Sequence, residues 1–133
     1  MLIKRHFVLL PLLIATSFVW GAKPIQNIVD EPVSARLDGS SRSLEDVKQA
    51  IIAGCQQKNW KPALNGDAQI KCSITVRSKH YAEVIIPYTE SSYSILYSDS
   101  RVLDYDEKKQ RIHRNYNKWI ILLSAAIQQH FLN

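Results

Sequence analysis

The sequence predicts a small α+β domain in which two helices cover one face of a three-stranded antiparallel meander, in the order αβββα. Apolar residues recur at steps of three and four in residues 43–58 and 112–131, which is typical of amphipathic helices. Three stretches between them alternate apolar and polar residues, as half-buried strands do. Burying the apolar faces against one another gives a two-layer architecture.

Residues 1–22 have the layout of a secretory signal peptide. Lys4 and Arg5 supply positive charge, and an apolar run then extends to Trp20. This run is shorter than the roughly 20 residues that span a bilayer as a helix. We therefore predict cleavage after Ala22 and a periplasmic or secreted protein that is not integral to the membrane. An uncleaved anchor is the alternative, because Trp20 is large for the third position before the cut.

The mature part is short enough for one compact domain. Residues 23–42 are predicted to be an extended leader, since Pro24, Pro32 and Gly39 interrupt any sustained period. The apolar residues of this leader would allow part of it to lie along the domain as an edge strand. Residues 43–133 are predicted to form the single α+β domain.

The first helix is predicted to begin at Ser43 and to run to about Lys58. The Ser43 hydroxyl can cap the helix while Asp46 reaches back in an arrangement like a capping box. The core stripe of this helix comprises Leu44, Val47, Ile51 and Cys55.

The strands of the meander follow a loop that contains Pro62 and Gly66. A two-residue turn after the first strand would place Ile74 opposite Glu83 and bury a charge. A three-residue turn of residues 78–80 instead pairs Ile74 with Val84, and we predict this register. The predicted inner faces are Ile70, Cys72, Ile74 and Val76; Ala82, Val84, Ile86 and Tyr88; and Tyr93, Ile95 and Tyr97.

The last helix carries the strongest periodic signal. This periodicity favours a core position for its Tyr and Trp over a ligand platform. Its predicted stripe comprises Ile112, Tyr116, Trp119, Leu123, Ile127 and Phe131.

The two cysteines, Cys55 and Cys72, are predicted to form a disulfide bond. The helical stripe places Cys55 on the core face of the first helix, and alternation places Cys72 on the core face of the first strand. An oxidising compartment favours a bridge between them. Two buried free thiols are the alternative.

A basic run lies around the start of the last helix. Its cations oppose the helix dipole, which suggests a use in binding an anion or a partner. The alternative is a solvated face balanced by the acidic residues just upstream. The run comprises Lys108, Lys109, Arg111, His113, Arg114 and Lys118.

The sequence contains no recognisable catalytic or cofactor motif. The histidines His80, His113 and His130 lack the close spacing of metal ligands on one helix face. We therefore expect no catalytic residue, no metal and no cofactor. Loops with Ser, Asp and His nevertheless leave open a site assembled across elements.

Four phrases of the sequence carry a resemblance: residues 77–80 (RSKH), 86–89 (IPYT), 92–95 (SYSI) and 112–120 (IHRNYNKWI). They resemble a family of uncharacterised small exported proteins and lipoproteins of Gram-negative bacteria. The resemblance extends from about Ser43 to Ile127. It implies an envelope location, and it implies no reaction, cofactor or catalytic residue. Many members look lipid-anchored, whereas this sequence has no Cys near residue 22 for such an anchor.

The expected function is that of a non-enzymatic periplasmic or envelope protein, a binding or accessory module of unknown ligand. Its partner would be an envelope protein or an anionic envelope component. A small periplasmic hydrolase with a site built from Ser, Asp and His loop residues is the alternative. The formal net charge of +5 is modest, and export argues against nucleic acid as a partner.

Overall fold

The computed structural model describes residues 21–132, so residues 1–20 of the predicted signal peptide lie outside the described part. Within residues 21–132 the fold is α+β with two helices, as predicted. In chain order the elements are β1 (Ala22–Pro24), β2 (Ile28–Pro32), α1 (Leu44–Gln57), β3 (Lys61–Leu64), β4 (Gln69–Val76), β5 (His80–Pro87), β6 (Ser92–Arg101), β7 (Arg111–His113) and α2 (Arg114–His130).

The strand number and the order αβββα were predicted wrongly. The structure has a five-stranded antiparallel sheet in the order β2-β6-β5-β4-β3 and a two-stranded sheet of β1 and β7. The four unpredicted strands are three to five residues long. That length is too short for an alternating pattern to emerge, and three of the four carry the prolines that mark strand edges: Pro24, Pro32 and Pro62.

The central meander of β4, β5 and β6 has the predicted faces but a different register. Ile74 pairs with Ala82 and Val76 with His80, so the turn comprises residues 77–79 and not 78–80. A shift of two residues leaves every side chain on its own face, so the burial pattern cannot separate the two registers. The backbone of Arg77 distinguishes the two registers. Its positive φ of 54° is a turn conformation and not a strand conformation, so Arg77 belongs to the turn.

The capping box predicted for α1 is present, with Ser43 and Asp46 bonded reciprocally. Val47, Ile51 and Cys55 are buried, whereas Leu44 is 41% exposed because it lies in the first turn, at the edge of the core. At its C-terminal end, α1 is capped by Lys58, which agrees with the predicted end of the helix at about this residue.

The last helix starts at Arg114, later than the periodic pattern indicated. Ile112 is buried as expected, but it belongs to β7, and Trp119 is only partly buried at the margin of the core. The remainder of the predicted stripe, Tyr116, Leu123, Ile127 and Phe131, is buried.

Both helices contribute to one hydrophobic core with the inner faces of β4, β5 and β6. Part of the predicted leader also joins the fold, since β2 is an edge strand of the larger sheet. Within residues 21–132, neither helix is long and apolar enough to cross a membrane.

Candidate functional site

A cleft of about 170 Å³ lies between the β4–β5 turn and the beginning of α2. It lies between residues 77–80 and residues 112–120, which contribute most of its lining. Its lining combines cationic, polar and aromatic groups, and the residues are Val76, Arg77, His80, Leu103, His113, Asn115 and Trp119.

The β4–β5 hairpin positions Arg77 and His80. Arg77 and Ser78 adopt positive φ values of 54° and 59°, which turn the chain within three residues. His80 then begins β5, and its Nδ1 donates to the carbonyl oxygen of Val102 at 2.8 Å. A carbonyl only accepts, so Nδ1 carries the hydrogen. Nε2 of a neutral His80 is therefore free to accept a hydrogen bond.

The junction of β7 and α2 positions the other polar groups. His113 is the N-cap of α2, and its Nδ1 accepts a hydrogen bond from the backbone N–H of Asn115 at 3.2 Å. In the neutral ring, Nε2 of His113 consequently carries the hydrogen and can donate. Trp119 lies four residues after Asn115, so the two side chains share one helix face.

The cleft suits a small anionic or strongly polar group. Arg77 supplies a permanent positive charge, His113 supplies a donor, and Asn115 supplies an amide. None of the described residues that line the cleft is acidic. Trp119 adds a flat aromatic wall against which an apolar or sugar-like portion could pack.

The structure divides the predicted basic run among three elements. Lys108 and Lys109 are exposed in the turn before β7, while Arg114 and Lys118 are exposed on α2. Arg111 lies in β7 and donates from Nη2 to the carbonyl oxygen of Ala22 at 3.1 Å. Of the six residues, only His113 lines the cleft.

The predicted disulfide bond between Cys55 and Cys72 is confirmed. It joins α1 to β4, with Cα atoms 6.6 Å apart, and both residues are fully buried. Its role is therefore structural.

Among the described residues, no histidine bonds to a serine hydroxyl or a carboxylate, so no Ser–His or His–Asp pair is formed. His80 and His113 bond to backbone groups, and Nε2 of His130 bonds to the side chain of Gln57 at 2.8 Å. None of these partners is a serine or a carboxylate. Within residues 21–132 there is also no group of three or more potential metal ligands.

A larger cleft of about 330 Å³ lies beside the C-terminal end of α2. The buried cation in its lining, Arg42, is already bonded to backbone carbonyl groups of the protein. Arg42 donates from Nε to the carbonyl oxygen of Ser34 at 2.7 Å and from Nη2 to that of Phe131. Its guanidinium also lies 5.4 Å from the centroid of the Phe131 ring. These contacts fasten the segment before α1 to the end of α2, so we assign Arg42 a structural role.

In the sequence, His80 belongs to the phrase 77–80 and Asn115 to the phrase 112–120, but no pattern predicted that the two phrases meet, and Trp119 was predicted to lie in the core. The cleft forms because the tip of the β4–β5 hairpin lies beside a helix that begins more than 30 residues later. No local sequence pattern encodes this proximity. No model of a known family, no curated protein and no solved structure matches the chain.

Proposed function

We propose that this chain is a non-enzymatic module of the bacterial envelope that binds a small anionic group, a carboxylate or a phosphate, in the cleft between the β4–β5 turn and α2. The observation that carries the proposal is the convergence of Arg77, His113 and Asn115 on one cleft with no acidic lining residue. The anionic group would belong to an envelope polymer or lipid headgroup.

The charge pattern supports an anion over a cation. A hydrogen bond between charged partners contributes about 1.5–3 kcal/mol, roughly twice as much as a neutral one. Arg77 offers a planar fork of donors that matches a carboxylate or a phosphate. His113 can add a neutral donor while its other nitrogen remains bonded to the helix backbone.

The predicted export is the reason for choosing the envelope as the source of the ligand. The chain has the signal-like N-terminal sequence described above, and its one disulfide bond is of a kind that persists in oxidising compartments. Carboxylates and phosphates are abundant on the polymers and lipids of that compartment.

Intrinsic fluorescence provides a direct test, because Trp119 lines the cleft and Trp60 is buried in the core. Trp119→Phe separates the signal of the cleft from those of Trp60 and of Trp20, which lies outside the described residues. Sodium phosphate, sodium acetate and phosphatidylglycerol vesicles are suitable probes. Phosphate and acetate separate the two anion types, and vesicles test a headgroup source. We expect saturable quenching by at least one probe, and we expect Trp119→Phe to remove the signal.

Two variants test the lining residues. Arg77→Asn removes the charge and keeps a residue that tolerates positive φ. His113→Asn removes the imidazole and keeps a good N-cap. Each should weaken binding about tenfold or more, which corresponds to about 1.4 kcal/mol. Lys109→Gln is the matched control, because it removes one exposed positive charge outside the cleft. Equal weakening by all three variants, or no saturable binding of any probe, would contradict the proposal.

A further inference from the structure

The residues at the expected signal cleavage point belong to the folded domain. The carbonyl oxygen of Gly21 accepts a hydrogen bond from the backbone N–H of Arg114 at 2.6 Å. Ala22 lies opposite His113 in the β1–β7 pair, and its carbonyl oxygen accepts from Arg111. A cut after Ala22 would remove all of these contacts.

The lost contacts would matter for the start of α2. Arg114 is the first residue of that helix, so its N–H has no partner within the helix, and the Gly21 carbonyl satisfies it. A cut after Ala22 would also create a charged amino group on Lys23, next to the Arg111 guanidinium that bonds to the Ala22 carbonyl in the uncut chain. Arg111 would repel the new positive charge.

Gly21 also fits closely against the cleft residue His113. A β-carbon built on Gly21 would lie 3.4 Å from Cδ2 and 3.5 Å from Nε2 of the His113 ring. Gly21 has a φ of +111°, a conformation that favours glycine. The segment that the expected cut would discard therefore supports the ring that lines the cleft.

The sequence offers an earlier cleavage point with a better pattern. Signal peptidase requires small residues at the first and third positions before the cut. A cut after Ala22 puts Trp20 at the third position, whereas a cut after Ser17 puts Ser17 and Ala15 at the two positions. The apolar region before Ala15 then has a length that is ordinary for a signal peptide.

We infer that signal peptidase cleaves this chain after Ser17, so that the mature protein begins at Phe18 and keeps Gly21 and Ala22 in its fold. This inference rests on the export that the proposed function includes.

The test is expression of the full chain in a Gram-negative host, followed by intact-mass measurement and N-terminal sequencing of the periplasmic protein. A start at Phe18 is the expected result. A start at Ala22 or Lys23 overturns the inference while leaving export intact. Recovery of the full 133-residue chain from the envelope overturns the inference, and its recovery only from the cytoplasm overturns the export proposal as well.

Two reciprocal substitutions sharpen the test, since each places a large residue immediately before one of the candidate cuts. Ser17→Leu should leave the precursor as the main species. Ala22→Leu should be processed as the unchanged chain is, with a mass that differs only by the substitution. The reverse pattern, with Ala22→Leu blocked and Ser17→Leu processed, would overturn the inference.

Discussion

Gly54 on α1 lies directly against the backbone of Ile127 on α2. A β-carbon built on Gly54 would fall 2.6 Å from Cγ1 of Ile127 and 2.8 Å from its backbone N and Cα. These distances are shorter than real carbon contacts, so only glycine allows the two helices to approach this closely. The contact therefore sets how closely α1 and α2 pack against each other.

Gly54→Ala should therefore destabilise the fold, although alanine is the better helix former by about 1 kcal/mol. Steric overlap with a backbone that cannot move aside typically costs about 1–3 kcal/mol, which offsets that gain or exceeds it. The measurement is the midpoint of urea unfolding. Gln56→Ala, on the exposed side of the same helix, is the control and should change stability little. A Gly54→Ala protein more stable than the unchanged chain would show that the helices can separate.

Reduction of the Cys55–Cys72 bond should lower the melting temperature markedly. The bond closes a loop with a sequence separation of 17, and it restricts the unfolded chain by about 3 kcal/mol. Thermal unfolding with and without dithiothreitol measures the effect. The double variant Cys55→Ala/Cys72→Ala should melt low under both conditions. A melting temperature indifferent to reductant in the unchanged chain would contradict the prediction.

The sequence predicted those parts of the fold that local patterns encode. Ser43 and Asp46 stand three residues apart with a helical stripe behind them, so the capping box was visible. The disulfide bond between Cys55 and Cys72 was predictable because the helical period placed Cys55 on a core face and the strand alternation placed Cys72 on another. The inner faces of β4, β5 and β6 followed from alternation in the same way.

Features that depend on short strands and turns were not predictable in this way. β7 has three residues, yet it takes Ile112 out of the helical pattern and moves the start of α2 to Arg114. The same strand brings His113 to the cleft that Arg77 also lines. Neither placement follows from periodicity, because both result from pairing between distant segments.

Arg111 and its basic neighbours should differ in their effect on stability. Arg111→Gln removes the hydrogen bond from the guanidinium to the Ala22 carbonyl, which should lower stability by about 1 kcal/mol. Lys108→Gln and Lys109→Gln should change it little, since both side chains are exposed in the turn. Chemical unfolding of the three variants measures this difference. Equal losses in all three would indicate that net charge, and not the β1–β7 contact, determines the effect.

Acid should weaken the start of α1 through Asp46. The hydrogen bond from the Ser43 backbone N–H, together with the one from Arg36, lowers the pKa of the Asp46 carboxyl below its ordinary value of 3.8. A lowered folded pKa means that ionised Asp46 stabilises the fold fully above the unfolded pKa. This contribution is lost as the pH falls through the folded pKa.

Asp46→Asn should therefore make the melting temperature less dependent on pH in the acid range below about pH 5. The matched control is Glu45→Gln, which removes a charge from the same first turn but lies outside the capping box. Some acid sensitivity should persist in Asp46→Asn, because hydrogen bonds from Ser40 also lower the pKa of Asp38. Melting curves of the three proteins across this pH range give the comparison. If Glu45→Gln flattens the profile as much as Asp46→Asn does, the pH dependence comes from the charge near the helix end and not from the capping box.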